Sequence, residues 1–206
     1  MVRTLIISPH LDDFLFGAFS FLKESKVYLT SINESMLYVD RPKREDIEKE
    51  LEIIRQFCGI KSIRVGDILV NEYFTEKHWL INSIESCIDA YRPELILIPH
   101  PSYNQDHQTV YEACMVALRP HDKNHWVPKV LMYDVYDYTN WGENQMKMNY
   151  FKPVDIKAKI KAYKKMKSQV RSYRSPEDLK RWAETIGKKC KLKYAEGFRC
   201  IRWIDG

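Results

Sequence analysis

No stretch of this chain approaches the ~18 consecutive apolar residues of a membrane-spanning helix, and its N-terminus lacks the charged-then-apolar pattern of a secretory signal. The expectation is a cytoplasmic protein with no transmembrane segment. A disulfide framework is missing too. Cys58, Cys87, Cys114, Cys190 and Cys200 are odd in number, widely scattered and without paired metal-ligand spacing, which fits small buried thiols in a reducing compartment. There is also no repeat, low-complexity tract or flexible linker to divide the 206 residues. One domain over 1–206 is expected, with a hydrophobic fraction of 45% and a charged fraction of 30%, both ordinary for a soluble globular protein.

Charge is distributed unevenly. Residues 152–206 hold 17 Lys and Arg against 6 Asp and Glu, so the net +5 of the whole chain conceals +11 there and −6 before it. Such a basic end suits a phosphate-bearing substrate, a nucleic acid or an acidic partner; a solvated helix face explains it equally simply. Ile156, Ile160, Tyr163 and Met166 recur at helical spacing and a second helix is expected from Pro176 to Ile186, so 152–206 reads as a basic helical C-terminal region.

Before it, strands and helices alternate. Strands are expected over Thr4–Ser8, Val27–Ile32, Ser62–Val65, Leu95–Ile98 and Val130–Tyr136, and a polar loop over Asn33–Lys43. Helices are expected from Asp12 or Asp13 through Leu22, over Arg44–Phe57 with a stop at Gly59, over Trp79–Tyr91, and after His107 up to Pro120. This order implies an α/β, Rossmann-like fold with a mainly parallel sheet and helices on both faces.

The first strand runs out into Pro9-His10-Leu11-Asp12-Asp13. Adjacent carboxylates at the end of a buried strand repel each other and lose hydration, so they need a cation, a proton or good hydrogen bonds. A helix N-cap with a second acid in the first turn is the simpler explanation. A second strand of the same apolar kind, however, ends in Pro99-His100 and closes on Asp106-His107. In a parallel sheet both ends can open into one crevice, where His10, Asp13 and His107 would make an open three-ligand site for zinc or another divalent metal. Asp12, not a ligand, would then take the proton of a metal-activated water as general base. His100 is a spare ligand or pocket residue, while His78, His121 and His125 lie in polar stretches and read as surface or loop residues.

These residues resemble the zinc-dependent N-deacetylases of the PIG-L or LmbE-like family, which remove acetyl groups from N-acetylated amino sugars and their conjugates. Pro9-His10-Leu11-Asp12-Asp13 matches the Pro-His-x-Asp-Asp motif, and Asp106-His107 the later Asp-His pair. Arg44 and Glu48 match an Arg-x-x-x-Glu helix start, Lys167-Ser168-Gln169 a late Lys-Ser-Gln element, and Ala195-Glu196-Gly197-Phe198 a closing Ala-Glu-x-Phe. The resemblance implies zinc on His10, Asp13 and His107, and Asp12 as the base that activates water and protonates the leaving amine. It places Asp106 in the catalytic motif and implies an N-acetylated sugar or sugar conjugate as the small-molecule partner.

Two positions depart from the pattern. Asn104 stands where many members have a histidine; its amide can donate to an oxyanion but carries no proton or positive charge. Either Asp12 then acts alone as acid and base, or His100 assists. Phe14 replaces a common glutamate and reads as a packing change. Arg44 is a candidate substrate contact through its planar donors, with a surface helix arginine as the alternative. Two other functions remain open: a nucleic-acid or partner-binding protein that uses the basic end, and a protein whose metal is purely structural. Homo-oligomerisation is compatible with the sequence.

Overall fold

Strand β1 (Thr4–Ser8) is buried along its whole length, as its unbroken apolar run requires of a strand covered on both faces. In the computed structural model, which describes residues 2–30, 43–66, 68–121, 124–135, 145–170 and 174–205, β1 lies third from one edge of a seven-stranded sheet. It pairs in parallel with β2 (Lys26–Leu29) and β4 (Leu95–Pro99). Beyond them lie the parallel strands β3 (Ser62–Val65) and β5 (Lys129–Tyr133). The order β3-β2-β1-β4-β5 reverses direction between β1 and β4, so the crevice outside their carboxyl ends is the topological switch point where α/β folds bind ligands.

The sheet divides two cores. Ile6, Leu97 and Leu131 point to one face, where they meet Phe14, Leu15, Ile54 and Tyr163. Leu5, Ile7, Ile96 and Ile98, one residue out of step, point to the other and meet Leu80, Ile84, Val110 and Cys114. The first face is covered by helices α1 (Asp13–Gly17), α2 (Arg44–Cys58) and α5 (Ile156–Lys165), the second by α3 (Lys77–Tyr91) and α4 (Gln105–Ala117). Helix α2 stops where expected, at Gly59, whose φ of 67° is the left-handed conformation that glycine adopts without cost.

The C-terminal region differs from expectation. Helices α5 and α6 (Pro176–Lys189) are present, but two strands accompany them: β6 (Tyr150–Pro153) and β7 (Ala195–Trp203). Strand β7 pairs antiparallel with β5 and β6 and carries the sheet to its far edge. The region is thus part of the sheet and not a helical appendage. Several of its cations have partners within the fold: Lys159 is buried against Glu196 at 2.6 Å, and Lys152 lies over the Phe21 ring.

The helix after the first strand also ends early, at Gly17, followed by a tight 3-10 turn over Phe19–Phe21. The cause lies 177 residues away, in Glu196. Its carboxylate accepts the backbone N–H groups of Phe19 and Ser20, while the Lys159 ammonium donates to the carbonyl of Phe16 at 2.5 Å. Groups that would have continued the helix are diverted into this ion pair. A β-carbon on Gly17 would meet Tyr133 and the Asp134 carbonyl at 2.3 and 2.5 Å, so only glycine lets α1 approach β5 this closely. The loop expected over 33–43 falls, but for Lys43, outside the described residues, as do 31–32 and Tyr136, the expected ends of the second and fifth strands.

Candidate metal centre

His10 leaves the end of β1, Asp13 begins α1, and His107 sits in the first turn of α4; the switch point brings them together. His10 Nδ1 lies 3.3 Å from Asp13 Oδ2 and 3.2 Å from His107 Nε2, and His107 Nε2 lies 3.2 Å from Asp13 Oδ2. A tetrahedral ion with bonds of about 2.0–2.2 Å spaces its ligands about 3.3–3.6 Å apart. The triangle therefore has the dimensions of three corners of such a site, and these three residues form the described group with metal-ligand spacing.

Hydrogen bonding fixes what each corner offers. His10 Nε2 donates to Asp106 Oδ2 at 3.1 Å, which leaves Nδ1 with its lone pair pointing inward. Asp106 is buried and is itself held by the backbone N–H of Asn71, at 3.0 and 3.2 Å to its two oxygens. Asn71 adopts a left-handed φ of 70°, which an asparagine tolerates better than most residues. The backbone N–H of His10 donates to Asp13 Oδ2 at 2.8 Å. His10 Nδ1, His107 Nε2 and Asp13 Oδ2 thus converge on one point.

The electrostatics express the same demand. Burial opposes charge on His10, yet the Asp13 and Asp106 carboxylates outweigh it and carry its pKa up to about 10. Burial likewise disfavours the Asp13 carboxylate, but His107 and His10 beside it hold its pKa well below the usual range. The pocket calls for a cation among these groups, and a divalent metal meets that demand with the histidines neutral.

Asp12 stands apart from the triangle. It occupies the N-cap position of α1, but its side chain makes no capping bond; Ser8 Oγ accepts the Phe14 N–H instead. The N-cap explanation of the paired acids therefore does not hold here. Asp12 Oδ2 lies 2.7 Å from Arg174 Nη1, an ion pair, and this buried oxygen receives no aligned hydrogen bond. Burial raises the Asp12 pKa, with Arg174 pulling it down and Asp13 pushing it up.

Asn104 is the N-cap of α4. Its Oδ1 accepts the N–H groups of Asp106 at 2.9 Å and His107 at 3.3 Å, so it orients the turn that carries His107 and leaves only its amide N–H₂ for donation. His100, at the end of β4, is buried, with Nδ1 3.9 Å from Asp134 Oδ1 and without a hydrogen bond. Burial, together with nearby His107, lowers its pKa to about 4, which makes it a neutral imidazole at ordinary pH. Arg44 is exposed in the first turn of α2 with Nε on Glu48 at 3.0 Å, in the manner of a surface helix arginine. His78 is exposed, and His125 is tied to Asp89 and Pro93 away from the triangle.

Three contributors escaped the sequence reading. Tyr73 donates to the Pro9 carbonyl at 2.8 Å, receives Thr30 Oγ1 at 2.9 Å and presents its ring to His10 edge-on. Asn71 acts through its backbone, which no side-chain pattern reveals. Arg174 follows the Lys-Ser-Gln element by five residues, and that proximity was the one available signal.

No protein-family model and no curated protein matches the sequence. Solved structures do. The N,N'-diacetylchitobiose deacetylase of Pyrococcus horikoshii is similar at a TM-score of 0.76 and 18% identity, over 97% of this chain and 84% of that one. The zinc-inhibited form of teicoplanin deacetylase Orf2 gives 0.76 and 17%, over 99% and 100%. GalB, the 4-carboxy-2-hydroxymuconate hydratase of Pseudomonas putida KT2440, gives 0.76 and 18%, over 100% and 99%. The chain has the PIG-L or LmbE-like fold, one α/β domain, and that fold carries more than one chemistry.

Proposed function

We propose that this chain is a metal-dependent hydrolase that removes an N-acetyl group from an amino sugar or sugar conjugate. The observation that carries the reading is the triangle of His10, Asp13 and His107 with a buried carboxylate, Asp12, directly beside it and outside it. Deacetylases among the similar structures support the substrate class.

His10, Asp13 and His107 would hold the metal, with zinc the first candidate because the donors are two imidazoles and one carboxylate. When bound, the metal supplies a Lewis acid that lowers the pKa of water toward ~7. Asp12 takes the proton of the attacking water on the carboxylate oxygen not paired with Arg174 and returns it to the departing amine nitrogen as the C–N bond breaks. The Asn104 amide N–H₂ donates to the carbonyl oxygen as negative charge develops there. His100, neutral, offers a second polar contact; Asp106 orients His10 and does not touch the reacting atoms. Arg44 contacts a distal hydroxyl or phosphate of the substrate by opening its pair with Glu48.

A metal and a carboxylate base also suit addition of water to a double bond, the reaction named for GalB. Acetate release separates the two. Metal-loaded protein incubated with free, lipid-linked and nucleotide-linked N-acetylhexosamines in ¹⁸O-water is expected to release acetate carrying one ¹⁸O. No acetate from any of them would overturn the reading.

A further inference from the structure

Arg174 arrives at the centre from outside the two strand ends. It precedes α6 directly, and its side chain is only 15% exposed, with the guanidinium over the Phe16 ring at 5.3 Å and Nη1 on Asp12 Oδ2 at 2.7 Å. Its backbone is held as firmly as its head. Tyr163, buried on α5, places its hydroxyl 3.0 Å from the Gln169 carbonyl and 2.8 Å from the Arg174 carbonyl, and so ties together the two ends of the segment that delivers the arginine.

The anchors continue outward on both sides. Ser168 donates through Oγ and N to Glu50 on α2, at 2.5 Å for the hydroxyl. On the other side, Ser175 and Asp178 form a reciprocal capping box that starts α6 one residue after Arg174. The Lys-Ser-Gln element is thus tied to α2 through Ser168, and Tyr163 links Gln169 to the backbone of the arginine that meets Asp12.

That aim has a chemical reason. Asp12, Asp13 and Asp106 place three carboxylates in one buried region. A divalent ion matches two of these charges, and Arg174 matches the third without competing for the metal. Arginine suits the task because its charge is permanent and its planar head stacks on Phe16. Turning Oδ2 toward the metal as a fourth ligand, which would remove the base from the reaction, would break its pair with Arg174.

We propose that Arg174 is the positioning residue for Asp12: it fixes the carboxylate beside the metal triangle and keeps it from ligating. This rests on the hydrolase reading, in which Asp12 is the base. The test uses the full-length, metal-loaded protein and its Arg174→Met and Arg174→Lys variants with the N-acetyl substrate that the wild type cleaves best. Arg174→Met is expected to lose about 100-fold in kcat, at the low end of what a general base contributes, with KM changed less than threefold and one metal per chain retained. Arg174→Lys recovers at least tenfold of that loss, and added guanidinium partly restores Arg174→Met. A kcat within twofold of wild type would overturn the proposal, as would a raised KM at unchanged kcat, which marks a substrate contact. Thermal unfolding of Arg174→Met, Asp12→Asn and the double variant tests the pair without any substrate. Non-additive losses are expected, and strict additivity would overturn the pairing even were no acetylated sugar a substrate.

Discussion

His10 and Asp106 lie 96 residues apart in the chain and meet at 3.1 Å, Nε2 donating to Oδ2. This bond sets the tautomer that turns the His10 Nδ1 lone pair toward Asp13 and His107. Asp106→Ala is therefore expected to weaken metal affinity about 10–100-fold, the usual consequence of losing a carboxylate behind a ligating histidine. Competition with a chromogenic chelator measures it. Unchanged affinity would show that His10 is oriented without Asp106.

Asn104 caps α4, and the proposed reaction gives it a second role as a donor to the substrate carbonyl. Asn104→Ala removes the cap of α4 and should cost about 1 kcal/mol of stability, together with activity. Asn104→Ser keeps an oxygen that can cap but lacks the amide donor. Chemical denaturation should find the serine variant close to wild type, while acetate release stays as low as in the alanine variant. Full activity of Asn104→Ser would confine the residue to capping.

The two strand ends could be read from sequence because β1 and β4 are buried on both faces, so each apolar run stops abruptly at its polar site residues. Asn104 carries a helix-start signal, an asparagine two residues before an acid in the first turn, which its place in the resembling motif masks. Strand β7 gave no comparable cue. Its first four residues are buried and include Glu196 and Gly197, while exposure alternates only in its outer half, among Arg199, Ile201 and Trp203. A buried glutamate reads as a strand residue only once its partner Lys159 is known, and Arg174 is linked to Asp12 solely by tertiary structure.

The Lys159 and Glu196 pair is a stability element remote from the metal triangle. Lys159→Met leaves Glu196 buried with two backbone donors and only Lys152, its cross-strand neighbour, as a countercharge, and should destabilise by about 3 kcal/mol. Adding Glu196→Gln to it should return part of the loss. Urea denaturation of the single and double variants checks this, and a single-variant loss below about 1 kcal/mol would contradict it.

His100 gives a pH dependence of defined sign. Its pKa falls from 6.5 to about 4 on folding, so above pH 6.5 it is neutral in both states and has no effect. As pH drops from 6.5 toward 4 the unfolded chain takes up a proton that the folded chain refuses, and stability is lost, by roughly 2 kcal/mol. Asn at this position has no such proton. The stability difference between wild type and His100→Asn should be flat above pH 7 and move against wild type between pH 6.5 and 4; a difference independent of pH would contradict the buried neutral imidazole.

We propose that three side chains hold a metal for a reaction in which a fourth, Asp12, moves the proton. Metal content and acetate release, determined on the same chelator-stripped and reloaded samples of wild type, His107→Ala and Asp12→Asn, test it most directly. Wild type should regain activity at one divalent ion per chain, His107→Ala should lose both metal and activity, and Asp12→Asn should keep its metal while its rate falls about 10²–10⁴-fold. Activity that survives in metal-free wild type, or in metal-loaded Asp12→Asn, would contradict the account.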